Sequence, residues 1–327
     1  MKQEENKNTE TFDAIKKIIS EPYLFKKDFE IYELTHSEAV CLAILYVLYG
    51  VHKQYKATKF EDGLIFFKAK NDSLQKEIFD FLYSGNKKYE GLYPLYEQLC
   101  TFPHSEFEKI YANILLWVTH TNVTAMGYKG DEYYSPLSIT SLIAYYIKSN
   151  GCKSVFDPFC GTASIVHYFD DKMLYVGQDI CKFISLIARV NLEAHYGLDA
   201  GINHTDSIQN WNKQSFDAVV LCPFPGAGLD YDYRQALKSE NKASLEELLF
   251  LRAFEKNKAG LAIMLESSNY FTKHKHIPIR KYLVDNNFLD TIIFLPENIF
   301  VATSFAPVLI ICKQNREADE PIKFINA

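Results

Sequence analysis

The chain has 327 residues, of which 48% are hydrophobic and 15% aromatic, so it is long and apolar enough to bury one large core and a smaller one. Its 35 basic and 41 acidic side chains give a net charge of -6, which excludes the broad basic surface of a protein that binds nucleic acid alone. The arginines are Arg189, Arg234, Arg252, Arg280 and Arg316, too few for this chain by itself to read guanine bases and clamp phosphates.

The cysteines form no C-x-x-C pair, so the sequence predicts neither a zinc site nor a disulfide framework. They are Cys41, Cys100, Cys152, Cys160, Cys181, Cys222 and Cys312. With no signal peptide at the start, this usage predicts a cytoplasmic protein. The longest apolar stretch, 39–49, is too short to span a bilayer, so we expect no membrane partner and no metal.

The first third of the chain has helical spacing. Residues 1–10 are polar and charged and are predicted to be a disordered tail. Residues 11–129 are predicted to form a helical N-terminal domain, with Phe12, Ile15 and Ile19 on one stripe and Ser105 as a helix cap. No group of residues in this part has the pattern of a catalytic, metal-binding or ligand-binding site.

From residue 130 the pattern alternates between strands and helices. Strands are predicted near Val155 and over 174–177, 218–221, 261–265, 291–295 and 308–311. Residues 130–316 therefore form an α/β domain with a mostly parallel, doubly wound Rossmann-like sheet. The last two strands are too close for a helical crossover, so the final one is predicted to be antiparallel, followed by a tail over 317–327.

Two strand ends carry acids in the arrangement of a nucleoside pocket. The first strand leads through Asp157-Pro158 into a tight turn at Gly161-Thr162, and the second ends at Asp179-Ile180, where the acid can accept hydrogen bonds from ribose hydroxyls. Only Gly161 stands where a dinucleotide site needs three glycines, so NAD and FAD are disfavoured and S-adenosylmethionine is the expected cofactor. An ordinary strand, turn and helix cap is the structural alternative.

Several further segments follow one another in a recognisable order. They are Asp131–Pro136, Phe156–Ile165, Tyr175–Asp179, Ala188–Leu192, Ile279–Leu283, Phe294–Phe300 and Val308–Ile311. Together they resemble the modification subunits of type I restriction systems, which are adenine-N6 DNA methyltransferases. The corresponding family segments read G-E-F-Y-T-P, Y-D-P-A-C-G-S-G-G-F-L, Y-G-Q-E, A-R-M-N-L, I-R-K-Y-L, L-P-E-N-L-F and I-L-V-L. Each piece is weak alone, but so many in register are specific.

The resemblance assigns roles to residues of this chain. It implies that Tyr134-Ser135-Pro136, Asp157-Pro158 and Gly161-Thr162 hold the methionine end of S-adenosylmethionine. It places Asp179-Ile180 at the ribose and Asp206-Ser207 at the adenine. It also implies DNA as substrate, with sequence specificity supplied by a specificity or other partner subunit, and a helical N-terminal domain that meets DNA or that subunit.

The chain departs from the family at two places that bear on chemistry. Further glycines of the cofactor turn are replaced by Ala163 and Ser164. The catalytic Asn-Pro-Pro-Phe segment is replaced by Cys222-Pro223-Phe224-Pro225. The missing Asn matters because the adenine amine is a poor nucleophile that needs hydrogen-bond acceptors on both protons, and a thiol accepts weakly. Losing one such contact costs on the order of a hundredfold in rate.

Two hypotheses follow from these departures. The first is an adenine-N6 DNA methyltransferase inside a multi-subunit assembly, in which the Pro223 carbonyl accepts from the target amine and Phe224 stacks on the flipped base. The second is a catalytically inactive relative that binds cofactor or a protein partner as a scaffold. Attack by a Cys222 thiolate on cytosine and methylation of a small molecule or protein are less favoured. The run His274-Lys275-His276 has no acid or cysteine beside it and is interpreted as a solvated loop rather than a metal site.

Overall fold

The computed structural model describes residues 2–20, 36–59, 65–68, 72–83, 92–124, 134–170, 172–197, 201–223, 237–242, 244–300 and 306–327. The chain forms two compact units. One contains residues 1–130 together with 186–200, and the other contains residues 131–185 and 201–327. None of the helices in these described ranges is long and apolar enough to cross a membrane.

Helices dominate the first unit. They are α1 Lys2–Ile19, α2 His36–His52, α3 Ser73–Tyr83, α4 Leu92–Leu99 and α5 His104–Thr124. A short antiparallel pair, β1 Lys56–Lys59 and β2 Ile65–Lys68, lies between α2 and α3 in the chain. Helix α2 is apolar almost all round, so it lies in the middle of the unit with Leu42 and Leu45 fully buried.

The prediction of disorder over residues 1–10 is wrong for residues 2–10, because α1 already begins at Lys2. The apolar half of α1 is anchored by buried Ile15 and Ile19. Its polar half is drawn toward the start of α5, where Lys7 Nζ lies 2.6 Å from Glu106 Oε1. A polar segment whose stabilising partner lies far along the chain gives no local signal of helix.

The second unit is built on one sheet covered by helices. Its strands are β3 Ser154–Asp157, β4 Leu174–Asp179, β5 Ile202–His204, β6 Ala218–Leu221, β7 Leu261–Ser267, β8 Leu289–Phe294, β9 Pro307–Lys313 and β10 Lys323–Asn326. The helices are α6 Leu137–Ser149, α8 Leu245–Leu251 and α9 Ile277–Asp285, with a π turn over Arg252–Lys256. Helix α7 Lys182–Tyr196 begins in this unit and belongs to the first unit from residue 186 onward. Short 3-10 turns occupy Ser164–Tyr168, Ser268–Phe271 and His274–His276.

The eight strands lie in the order β10-β8-β9-β7-β6-β3-β4-β5. Strand β9 is antiparallel to both of its neighbours, and all other pairs are parallel. This confirms the predicted fold class, a mostly parallel Rossmann-like sheet in which the strand at 308–311 is antiparallel. The carboxyl ends of β3, β4 and β6 therefore meet at one edge of the sheet.

Two strands of this sheet were not predicted, and neither was the β1–β2 pair inside the predicted helical domain. Strand β5 has only three residues, and β10 lies inside the segment predicted to be a tail. All four residues of β10 are exposed, so the strand has no alternating apolar pattern and pairs with β8 through its backbone. The tail prediction over 317–327 is therefore wrong for Lys323–Asn326.

An apolar layer packs between the sheet and helices α8 and α9, next to the edge where β3, β4 and β6 end. In this layer the rings of Phe156 and Phe216 stack with centroids 5.3 Å apart, and Trp211 meets Phe156 edge-on at 5.2 Å. The indole Nε1 of Trp211 donates to Asn257 Oδ1 at 2.7 Å. Because Phe156 directly precedes Asp157, this packing fixes the end of β3.

Candidate active site

The carboxyl group of Asp157 closes strand β3 and is almost completely buried. Its Oδ2 accepts a hydrogen bond from the Tyr175 hydroxyl at 3.1 Å, and its Oδ1 accepts from the Phe159 backbone N–H at 3.3 Å. Burial raises the pKa of Asp157 to about 7, although these two hydrogen bonds oppose the rise. The group therefore changes charge near neutral pH, which is typical of a ligand site.

The turn after β3 and the end of β4 are joined directly. Gly161 has a φ of 52°, a left-handed conformation that glycine adopts without strain. Its N–H donates to Asp179 Oδ2 at 3.2 Å, while Asp179 Oδ1 accepts from the Cys181 N–H at 2.8 Å. Burial raises the pKa of Asp179 to about 6, against these two hydrogen bonds and the nearby His204. The predicted pair of positions 161 and 179 is thus adjacent.

Ala163 replaces a glycine of the family turn but keeps a glycine-like backbone. Its φ is 53° and its ψ is 31°, and its side chain is buried. An L-residue in this left-handed region costs about 1–2 kcal/mol, so the surrounding packing holds the turn against local strain. Ser164, which replaces the next glycine, opens the following 3-10 turn and faces the cavity described below.

A cavity opens at the carboxyl ends of β3 and β6. The predicted residues that line it are Tyr134, Ser135, Asp157, Gly161, Thr162, Cys222 and Pro223. The structure therefore brings five of the residues expected at the methionine end, and the start of the expected catalytic segment, into one space, whereas Pro136 and Pro158 do not line it. Residues that the sequence did not point to supply apolar surface, among them Ile143 on α6, Leu265 on β7 and Phe300. Phe159 and Cys160, within the cofactor turn itself, also face the cavity.

Cys222 and Pro223 follow the end of β6, and both are partly exposed. Burial of the sulfur raises the pKa of the Cys222 thiol, and the negative charge of Asp157 adds to the effect. The group stays a protonated thiol at neutral pH, which does not favour the covalent attack on cytosine considered above. Phe224 and Pro225 lie outside the described residues.

Three predicted cofactor residues contact other parts of the turns rather than the cavity. The Pro158 carbonyl accepts from the Ser207 hydroxyl, with 2.6 Å between the oxygens. The Asp206 Oδ1 accepts from the Ile208 N–H at 2.8 Å, so this carboxylate caps the turn after β5. These contacts tie the β3, β4 and β5 ends together.

Two further predicted residues lie at the borders of the site. Pro136 is the residue before α6, and its carbonyl accepts backbone hydrogen bonds from the first turn of that helix. Ile180 is 63% exposed, unusual for a large apolar side chain, and it directly follows Asp179. An exposed apolar side chain beside the acid that is predicted to bind ribose is suited to contact with an aromatic base.

The described residues contain no group of three side chains that could hold a metal ion. Among the residues missed by sequence reasoning, Tyr175 has the clearest role, since its hydroxyl holds the Asp157 carboxylate. Tyr175 begins the segment 175–179 that resembles the family, but the sequence of a strand does not indicate which side chain its hydroxyl will contact. The apolar wall residues carry no signal apart from their hydrophobicity.

The family model for N-6 DNA methylase matches residues 106–327, more than half of the chain. This chain belongs to the N-6 DNA methylase family. The match confirms the resemblance to type I modification subunits on which the site residues were assigned.

Two curated relatives of this N-6 DNA methylase family member are methylase subunits of type I restriction enzymes. It is 26% identical over 275 residues to the MpnII methylase subunit of Mycoplasma pneumoniae and 27% identical over 233 residues to the MjaVIII methylase subunit of Methanocaldococcus jannaschii. The alignments cover 72% and 61% of this chain, but 51% and 40% of the relatives. The chain thus spans about half the length of these relatives or less.

Solved structures agree on the fold of this N-6 DNA methylase family member. A putative class I S-adenosylmethionine-dependent methyltransferase from Listeria monocytogenes superposes with a TM-score of 0.67 at 16% identity, covering 98% of this chain and 93% of that one. A modification subunit of a putative type I restriction enzyme from Vibrio vulnificus gives a TM-score of 0.63 at 13% identity, with 98% and 84% covered. The class I methyltransferase fold is therefore established.

Proposed function

We propose that this chain transfers a methyl group from S-adenosylmethionine to the N6 amine of adenine in DNA, together with partner subunits of a restriction-modification system. The observation that carries the proposal is the 3.2 Å contact between Gly161 N and Asp179 Oδ2, beside a cavity that Cys222 and Pro223 also line. The acid expected to bind the nucleoside is thus hydrogen-bonded to Gly161, which lines the same cavity as the start of the expected base-binding segment.

The residues present fit S-adenosylmethionine. Each carboxylate oxygen of Asp179 accepts one hydrogen bond from a backbone N–H. Each oxygen has a further lone pair that can accept from a ribose hydroxyl. The exposed side chain of Ile180 offers an apolar face for the adenine ring. Asp157, buried at the cavity wall, places a carboxylate where the cationic methionine end would lie. The cofactor, when bound, supplies an electrophilic methyl group on its sulfonium.

The target side of the cavity supplies fewer acceptors than the family pattern. The Pro223 carbonyl accepts one hydrogen bond from the adenine amine and makes its lone pair more available for attack. The Cys222 thiol accepts the second only weakly. Since the target atom is hidden inside a duplex, the base must be flipped out to reach this edge of the sheet. We therefore propose a slow methyltransferase.

Partner subunits are proposed from two observations. The curated relatives are named as subunits of type I restriction enzymes, and this chain spans about half of their length or less. A chain with a net charge of -6 also lacks the charge for tight binding to DNA alone. Sequence specificity is accordingly assigned to a partner.

Calorimetry with S-adenosylmethionine tests the cofactor half of the proposal. We expect the wild type to release heat and Asp179→Ala to bind about a hundredfold more weakly, because hydrogen bonds to a charged acceptor contribute about 1.5–3 kcal/mol each. Asp179→Asn, which keeps one acceptor oxygen, should lose less. Asp285→Ala, which removes an exposed carboxylate of α9, is the matched control and should bind as the wild type does. Absence of heat with correctly folded wild type would refute the proposed function.

A further inference from the structure

The most basic stretch of the chain begins at Lys273, after strand β7 and one 3-10 turn. Within residues 273–281, six of nine side chains are Lys, Arg or His, and none is acidic. The first four, Lys273-His274-Lys275-His276, are called the basic segment below. In a chain with a net charge of -6, this concentration of positive charge at one place requires an explanation.

The basic segment leaves the sheet at the edge that carries the cavity. Strands β6 and β7 are parallel neighbours, paired from Ala218 with Leu261 to Leu221 with Met264. Neighbouring strands lie about 5 Å apart, so both connections leave from the same edge of the sheet, although β7 continues past the level of Leu221 to Ser267. Cys222 begins the first connection, and the basic segment follows the second after one 3-10 turn.

Internal contacts fix the backbone of the segment. The Arg280 guanidinium Nη1 donates to the carbonyls of Tyr270 at 2.7 Å and Lys273 at 3.2 Å. The ring of His276 is buried, with its Nδ1 3.3 Å from Glu246 Oε2. Arg280 is therefore occupied by backbone carbonyls and His276 is buried, so neither side chain is available to a ligand.

The remaining basic side chains of the segment are exposed to solvent. Lys273, His274 and Lys275 are exposed, and neither lysine forms an ion pair with a carboxylate in the described part of the chain. Both lysines act on the carboxyl group of Glu266. Burial raises the pKa of Glu266 to about 7, while the positive charges of Lys275 and Lys273 oppose the rise. This carboxyl is only partly charged at neutral pH, so the positive charge of the two lysines is not fully neutralised.

We infer that Lys273, His274 and Lys275 form a contact surface for the phosphate backbone of a DNA duplex whose target base enters the neighbouring cavity. A fixed loop with cations directed outward is suited to a polyanion, since phosphate contacts position a duplex without reading its sequence. The inference rests on the proposed function for the identity of the polyanion. It also accounts for DNA binding by a chain that is acidic overall.

Salt-dependent binding tests the inference. The probe is a fluorescein-labelled 30-base-pair duplex without a defined target, titrated with the full chain in the absence of cofactor at several salt concentrations. The variant is Lys273→Gln/Lys275→Gln. The matched control is Lys153→Gln/Lys258→Gln, which removes two exposed lysines that precede β3 and β7 at the opposite edge of the sheet. Circular dichroism melting verifies that both variants fold.

We expect the slope of log affinity against log salt to fall by about 2 in the first variant and its affinity at 0.1 M salt to drop roughly tenfold or more. The control pair should keep the wild-type slope. An unchanged slope in the first variant, an equal loss in both variants, or a wild type without salt-dependent binding overturns the inference. Because no cofactor is present, these results are independent of the calorimetry. If the chain binds DNA through the segment but does not bind S-adenosylmethionine, the proposed contact surface is retained and only the methyltransferase function is refuted.

Discussion

The two ends of the cavity differ in how far they retain the features of the family. At the cofactor end the sequence changes, with Ala163 in place of a glycine, yet the backbone keeps the left-handed turn and the Gly161 to Asp179 contact. At the target end the chain leads from β6 into the cavity, but Cys222 stands where the family segment has an Asn, the residue expected to accept from the amine. Backbone geometry thus tolerates substitution better than a chemical group does. A turn can be held by its neighbours, whereas a thiol does not supply the strong acceptor of the amide oxygen that it replaces.

The largest expected effect comes from restoring the lost acceptor at the target end. We predict that Cys222→Asn raises the rate of tritiated methyl transfer to adenine-rich DNA on the order of a hundredfold in the presence of the partner subunits, because an amide oxygen accepts where a thiol does not. Cys312→Ser, which alters a buried cysteine of β9, is the control and should not raise the rate. If neither the wild type nor the Asn variant transfers methyl groups with native partners, the inactive-relative hypothesis is favoured.

The next largest effect concerns pH at the cofactor end. Burial raises the pKa of Asp157 to about 7 and that of Asp179 to about 6. Since the cationic methionine end favours a charged Asp157 and ribose hydroxyls favour a charged Asp179, binding releases protons as pH falls through these values. Affinity for S-adenosylmethionine should fall by at least about tenfold from pH 8 to pH 5. Calorimetry across this range checks the prediction, and a flat profile would contradict the roles of both carboxyls.

A smaller effect is expected from the residue that holds Asp157. Tyr175→Phe removes the hydroxyl that donates to Asp157 Oδ2 at 3.1 Å, a hydrogen bond to a charged group worth about 1.5–3 kcal/mol at most. We predict roughly fivefold weaker cofactor binding at pH 7. The affinity profile should also move to higher pH, because the charged form of Asp157 loses support. Tyr145→Phe, on an exposed ring of α6, serves as the comparison and should leave both affinity and profile unchanged.

The smallest predicted effect measures the strain of the altered turn. Ala163→Gly should raise the free energy of unfolding by up to about 1 kcal/mol, because glycine adopts a φ of 53° without the cost borne by alanine. Urea denaturation gives the value, with Ala144→Gly in α6 as a control that should destabilise by a similar amount. A loss of stability in Ala163→Gly would mean that the buried methyl group matters more than the strain.

Sequence reasoning reached those features that depend on local pattern. The apolar runs ending in Asp157 and Asp179 predicted both strands and their meeting at one edge, and the close spacing of the last two predicted strands gave the antiparallel β9. What it missed depends on distant partners. The polar start of α1 is held by Glu106, and β10 joins the sheet through backbone hydrogen bonds to β8. A local pattern contains neither partner.

In the candidate site the same limit applies at the scale of side chains. Motif positions predicted that residues 157, 161 and 222 would share a space, and the cavity contains all three. They did not predict that Asp206 would cap a turn or that the Pro158 carbonyl would bond Ser207. The apolar wall from Ile143, Leu265 and Phe300 comes from three separate elements that only the folded chain brings together.

The buried carboxyl of Asp157 also makes the stability of the fold depend on pH. A folded-state pKa of about 7, against an ordinary value of 3.8, means that the charged acid opposes folding by on the order of 4 kcal/mol above neutral pH. The stability contributed by this group is greatest below its ordinary pKa and is lost as pH rises toward 7. At neutral pH this buried acid therefore lowers the stability of the fold, and we expect a positively charged group bound beside it to restore part of that stability.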